Sequence, residues 1–232
     1  MRILSPMLLA VLLTLPLSGA SLAEAVIGTI TVTGSATVQV VPDLATISLG
    51  VTTTAATAAA AMDANSAAVS AVTARLKAAG IADRDMQTSN LALNPNWVTN
   101  ASGTSSEIQG YVASNLLTVQ VRAMNTTGAV LDAAIADGAN TLNALTFGLQ
   151  NQRPQADEAR KAAVADALAR ARLLAAAAGA KLGAIQSISE DNAMPPGPQP
   201  MYRMTDSAAA VPIAAGEVGV TASVTIVFRI GQ

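Results

Sequence analysis

The stretch Val218-Gly219-Val220-Thr221-Ala222-Ser223-Val224-Thr225-Ile226-Val227-Phe228-Arg229-Ile230 has the most regular pattern in the chain. Its even positions, from Val218 to Ile230, are all apolar, and Thr221, Ser223, Thr225 and Arg229 fall between them. Side chains alternate across a strand with a period of two, so this segment is a strand with one face for a core and one for water. The other end of the chain has the same signature. Ile30, Val32, Ala36, Val38 and Val40 are even, with Thr29, Thr31, Thr33, Thr37 and Gln39 between them. After Pro42-Asp43 a second strand follows with Ala45, Ile47, Leu49 and Val51 in phase, and the short connection predicts a hairpin or a closely adjacent pair.

Between these ends the periodicity changes. Met62, Val69, Val72, Leu76 and Ala79 lie on one face of a helix over residues 57–79, which Gly80 ends as a left-handed cap. Strands are expected at 86–97 and 109–122, the second with Tyr111, Ala113, Leu117, Val119 and Val121 on one face, and the polar stretch 99–107 reads as the loop joining them. A short helix at 126–137 carries Val130, Leu131, Ala134 and Ile135, and a strand at 141–150 follows it. Pro154 then opens the clearest helix, which runs to Gly179 with Asp157 and Glu158 near its start. The apolar face expected for it is Ala156, Ala163, Ala167, Leu174 and Ala178 with Val164, Leu168 and Ala171, and so much alanine allows close approach to a sheet. A strand at 184–190 precedes the closing one. The order is ββαββαβαββ, an α+β fold of mostly antiparallel sheet with packed helices, as one body or two.

The first 23 residues read as a secretory signal peptide. Met1-Arg2 provides the positive start, 3–17 is apolar, and Ser21-Leu22-Ala23 places small residues at the −3 and −1 positions of a cleavage site. The apolar run falls short of the roughly 20 residues that span a bilayer, and Pro6 and Pro16 interrupt it. The expected mature chain is 24–232, soluble, without a transmembrane segment. Cutting after Ala23 removes Arg2 alone and leaves 12 basic residues against 15 acidic ones. With only 2% aromatic residues in addition, neither the charge nor the stacking faces for nucleic acid are present.

The chain contains no histidine and no cysteine. That excludes Ser-His-Asp and Cys-His nucleophiles, zinc sites of the usual ligand types, haem held by either residue, and disulfides. There is no G-x-S-x-G, P-loop or G-x-G-x-x-G motif, so no catalytic residue and no cofactor is assigned. The acidic candidates for a hard cation are Asp157-Glu158, Glu190-Asp191 and Asp83 with Asp85. None belongs to an EF-hand-like run, and helix-end or loop placement explains them. Opposed carboxylates acting on a sugar would need an aromatic-lined cleft, for which Trp97, Tyr111 and Tyr202 are too few.

The ordered pieces Thr33-Gly34, Pro42-Asp43-Leu44-Ala45, Gly80-Ile81 with Asp85 and Thr88, and Gly110-Tyr111 with Asn115 resemble the SIMPL-domain family. The resemblance continues through Val130-Leu131-Asp132-Ala133, Gly138-Ala139, Ala159-Arg160 with Ala162, Asp166-Ala167, Ala171, Gly179, Leu182-Gly183, Pro212-Ile213 and Gly216, and so runs from Gly28 to Ile230. It implies an α+β fold and export to the periplasm, with outer-membrane association in some members. It also implies, for some, a part in oxidative-stress defence or a role as immunogenic antigens. Ring-like homo-oligomers stacked into a channel-like particle are implied for at least some members, and no established catalytic residues. The resulting expectation is a non-enzymatic, self-associating structural or binding component of the cell envelope. Two features of the residues agree with self-association: the alanine-rich helix, and the long closing strand, whose edge is expected to pair with another copy.

The stretch 192–210 departs from the family by its proline and methionine content, and the loop as a whole spans about 192–212. Met194, Met201 and Met204 beside Tyr202 give the alternative reading, a small-ligand or metal-binding module in which thioethers hold Cu(I) or are oxidised in place of other groups. Against it stands a plain loop without function. Copper titration distinguishes the two: Met201→Ala and Met204→Ala weaken Cu(I) binding if the thioethers are ligands, and unchanged affinity removes the reading.

Overall fold

The computed structural model describes residues 28–99, 106–190 and 213–231. The expectations placed on 1–23 and on 192–212, including Met194, Met201 and Met204, lie outside them. Seven strands and three helices follow in the expected order: β1 (Thr29–Val40), β2 (Leu44–Ala55), α1 (Ala58–Ala78), β3 (Met86–Thr99), β4 (Ser106–Val121), α2 (Thr127–Ala136), β5 (Thr141–Gly148), α3 (Arg153–Ala177), β6 (Lys181–Glu190) and β7 (Val218–Gly231). All pairings are antiparallel. The fold is α+β.

The strands form two sheets, β1-β7-β6 and β3-β4-β2-β5. β1 therefore pairs with the end of the chain and not with β2, in an unbroken register from Thr29↔Arg229 to Val40↔Val218. The expected hairpin of β1 and β2 does not form, because both sides of β2 are taken by β4 and β5 while β1 pairs with β7. The chain instead crosses to the other sheet. β7 lies between β1 and β6, so the edge expected to be open on the closing strand is already paired on both sides.

Each sheet buries one face. On β1 and β7 the even residues Val32, Val224, Ile226 and Phe228 pack against Ala163, Ala167 and Ala171 of α3. Their odd residues form a hydroxyl ladder, with Thr33 and Thr225 Oγ1 atoms 2.9 Å apart and Thr37 and Thr221 2.8 Å apart. In the larger sheet Ile47, Leu49 and Val51 of β2 meet Leu117, Val119 and Val121 of β4, covered by Val72 and Leu76 of α1 and Val130 and Leu131 of α2. Thr57 caps α1 through its side chain. Gly80 ends the helix at φ +91°, the left-handed conformation expected of it.

The buried stripe of α3 differs from the expected one. It runs Ala159, Ala163, Ala167, Ala171 and Ala175, an unbroken i, i+4 row, while Leu173 and Leu174 face outward. The reason is distance. Gly34 on β1 lies so close that a Cβ there would meet the Ala163 carbonyl oxygen at 2.2 Å and the Ala167 nitrogen at 2.4 Å. Only methyl-sized groups fit at such a contact. The Ser35 N–H adjoining it donates to Asp166 Oδ2 at 3.0 Å, which fixes the helix along the strand.

Gly34→Ala is expected to destabilise the protein by about 1–3 kcal/mol or more, because backbone on both sides must move. Gly148→Ala, where an added Cβ meets nothing within 4 Å, serves as the near-neutral control. Urea unfolding of both variants checks this.

Candidate functional site

Of the acidic residues singled out in the sequence, Asp83, Asp85, Asp157 and Glu190 are held by cations of the chain itself, Glu158 is exposed, and Asp191 lies outside the described residues. Asp83 bonds to Lys77 at 2.7 Å, and Asp85 bonds to Arg122 at 2.6 Å. The two carboxylates thus have different partners. Asp157 and Glu190, from two different sequence pairs, converge on Arg160 at 2.7 and 2.6 Å. Among the described residues no three acidic, histidine or cysteine side chains are spaced to hold a metal ion. Trp97 stands exposed on β3, and Tyr111 lies on β4 opposite Pro95.

Asp85 is buried, and Arg122 reaches it with Nε at 3.0 Å from Oδ2 and Nη2 at 2.6 Å from Oδ1, a two-pronged contact that matches the guanidinium fork. These hydrogen bonds hold the Asp85 carboxyl below its ordinary pKa against the opposing effect of burial. The Arg122 Nη1 atom also donates to Gln150 Oε1 at 3.2 Å. Gln150 in turn gives its backbone N–H to Asp43 Oδ1 at 2.7 Å and its side-chain Nε2 to the Asp43 carbonyl at 2.8 Å. Asp43 and Gln150 lie on the two connections between the sheets, 41–43 and 149–152, so one polar chain from Asp85 to Asp43 fastens both crossings. Pro42-Asp43 and Asp85 were visible as motif residues. Arg122 and Gln150 had no local signal, because a lone polar residue at a strand end resembles any solvated position.

A second arrangement belongs to the surface. β1, β3 and β5 contain no charged residue, and β6 has charges only at its ends, Lys181 and Glu190. These four are the sheet edges. On β3 the residues Leu91, Leu93 and Trp97 are exposed, at 53%, 41% and 58%. Leu93 pairs with buried Ala113, so it stands on the side of the sheet that the helices cover elsewhere. At the opposite edge a cavity of about 200 Å³ opens between α2 and β5, lined by Leu49, Leu131, Ile135, Ala139, Asn140, Thr141 and Leu142. Asn140 shapes its rim by imitating a ladder residue: its side chain accepts from the Thr52 N–H and donates to the Thr52 carbonyl, both at 2.8 Å.

Among the described residues no helix is long and apolar enough to cross a membrane. The geometry shows no catalytic cluster among the described residues and two uncharged, apolar edges on one sheet.

The family model SIMPL, described as a protein of unknown function (DUF541), matches residues 30–228. The 26 kDa periplasmic immunogenic protein of Brucella melitensis biotype 1 is 41% identical over 211 residues, covering 87% of this chain and 84% of that protein. The uncharacterized protein YggE of Escherichia coli (strain K12) is 31% identical over 188 residues, covering 81% and 75%.

Because the folded state lowers the Asp85 pKa, its contribution to stability is present above the ordinary carboxylate range and is lost as pH falls through the folded value. Asp85→Asn is therefore expected to lower the urea midpoint at pH 7, and the gap from the parent protein should narrow below about pH 4. A gap of constant size across that range would show that the charge contributes nothing.

Proposed function

The chain belongs to the SIMPL family, and from that premise we propose that it acts in the periplasm as a non-enzymatic, homo-oligomeric structural or binding component of the cell envelope, with a part in oxidative-stress tolerance. The name of the Brucella relative, a periplasmic immunogenic protein, supports the compartment, as do the leader-like residues 1–23. The lack of imidazole and thiol groups, together with the pairing of the candidate carboxylates by Lys77, Arg122 and Arg160, supports the absence of catalysis.

Self-association rests on the composition of the sheet edges. Monomeric proteins blunt an exposed edge with charge, above all lysine, because unpaired backbone N–H and C=O groups recruit other strands. Here the edge strands β1, β3 and β5 contain no charge along their length, and β3 in addition shows Leu91, Leu93 and Trp97 to solvent. A surface left so open is suited to another chain.

Size-exclusion chromatography with light scattering tests this. A mass several times that of one chain is expected at protein concentrations of about 1 μM, within the affinity range of specific interfaces. A monodisperse monomer there overturns the oligomeric reading.

A further inference from the structure

The four sheet edges are not equally open. On β1 the Ser35 N–H is taken by Asp166, and α3 presses directly on Gly34. β6 is broken by two register shifts and ends in Glu190, which is held by Arg160. The two edges of the larger sheet remain, β3 and β5, and they differ in shape. β3 presents an apolar row, and β5 borders an apolar cavity.

We infer that β3 of one copy adds antiparallel to β5 of a second copy, continuing the larger sheet between molecules, and that Trp97 then comes to the mouth of the cavity beside α2. This rests on the oligomeric reading above and specifies its interface. Register and facing both support it. Between its two shifts β3 has a regular run to Asn96, and β5 has one from Ala144 to Gly148. Setting Asn90 opposite Gly148 places Leu91 against Phe147, Leu93 against Leu145 and Asn94 against Ala144.

The facing follows from the pairings within the chain. Leu93 lies opposite buried Ala113, whereas Leu145 and Phe147 lie opposite buried Ile47 and Ala45, so all three belong to the helix side of the sheet. Apolar residues thus meet apolar residues, and the polar side continues as Asn94 beside Ala144. Pro95 has no N–H and marks the end of the ladder. Beyond it, past the second register shift, Trp97, 58% exposed, reaches the level where Leu142 and Ile135, 51% and 52% exposed, border the cavity. A cavity of about 200 Å³ accommodates one large side chain. An indole there would cover Ile135 and Leu142 and bury itself, which is the form of an interface anchor.

The parent chain contains no cysteine, so introduced ones report cleanly. Asn94→Cys and Ala144→Cys are made in separate preparations of the full chain, mixed under dissociating conditions, reassembled and oxidised. Cross-strand neighbours satisfy the 4.4–6.8 Å Cα separation of a disulfide. The expected result is a covalent dimer from the mixture and none from either variant alone. In parallel Trp97→Ala and Leu93→Lys should reduce the light-scattering mass to that of one chain or raise the dissociation constant at least tenfold. Leu173→Lys, on the outer face of α3, should leave the mass unchanged. An oligomeric parent that gives no mixed dimer, and whose mass Trp97→Ala and Leu93→Lys leave unchanged, overturns this interface while the oligomeric reading stands. A monomeric parent overturns both.

Discussion

The fold depends on the fact that, among the described residues, the chain passes between its two sheets only twice, and that the two passages lie side by side. Residues 41–43 lead out of the smaller sheet, 149–152 lead back, and Asp43 and Gln150 hold them together through hydrogen bonds of 2.7 and 2.8 Å. Everything from β2 to β5 is consequently an insertion into a unit made of β1, α3, β6 and β7. Each unit has its own core, one built around the alanines of α3 and the other around branched residues under α1 and α2. The Asp85–Arg122 pair adds to the stiffness of the junction by holding Gln150 from the side of the inserted unit. Part of the attraction at this buried carboxylate offsets the cost of removing it from water.

The order and type of the elements were legible because apolar periodicity is a local signal. The odd residues of β2 and the even residues of β7 stand out over a few positions, and the helix ends have their own marks in Thr57, Gly80 and Pro154. Partnership was not legible in the same way. β1 and β7 lie almost the whole described chain apart, and nothing in either names the other. Proximity in sequence favoured the wrong pairing. In α3 the row of alanines flattens the contrast between faces, so the expected stripe took in Leu174, which faces water. Asn65 of α1 went unnoticed for a related reason. It is a polar residue fully buried, donating to the carbonyls of Val51 and Ala113 at 2.9 and 3.2 Å, and sequence pattern assigns such residues to solvent.

The candidate surface was legible only as an absence. That the strands contain few charges can be read from the letters, but which strands form edges cannot, and an uncharged central strand is unremarkable. The closing strand looked like the open edge because it is the longest alternating segment, yet length and regularity are what suit it to the middle of a sheet. Its neighbours β1 and β6 were left outside.

The distribution of charge joins these observations into one constraint. All six ion pairs of the described residues involve helices, turns or strand ends, and none crosses an edge strand's interior. On the proposed interface, a surface arranged in this way directs contact to β3 and β5, which are different from one another. Contact between unlike surfaces does not terminate after two copies, since each added molecule offers the same free surface as the last. It ends only when the rotation from copy to copy closes on itself, and otherwise it continues as a filament. The junction between the two sheets then acquires a role beyond folding: closure requires the same rotation at every contact, and a unit free to swing at residues 41–43 would not reproduce it. The polar chain from Asp85 through Arg122 and Gln150 to Asp43 ties the two crossings together, and in the proposed assembly it serves to keep that rotation constant.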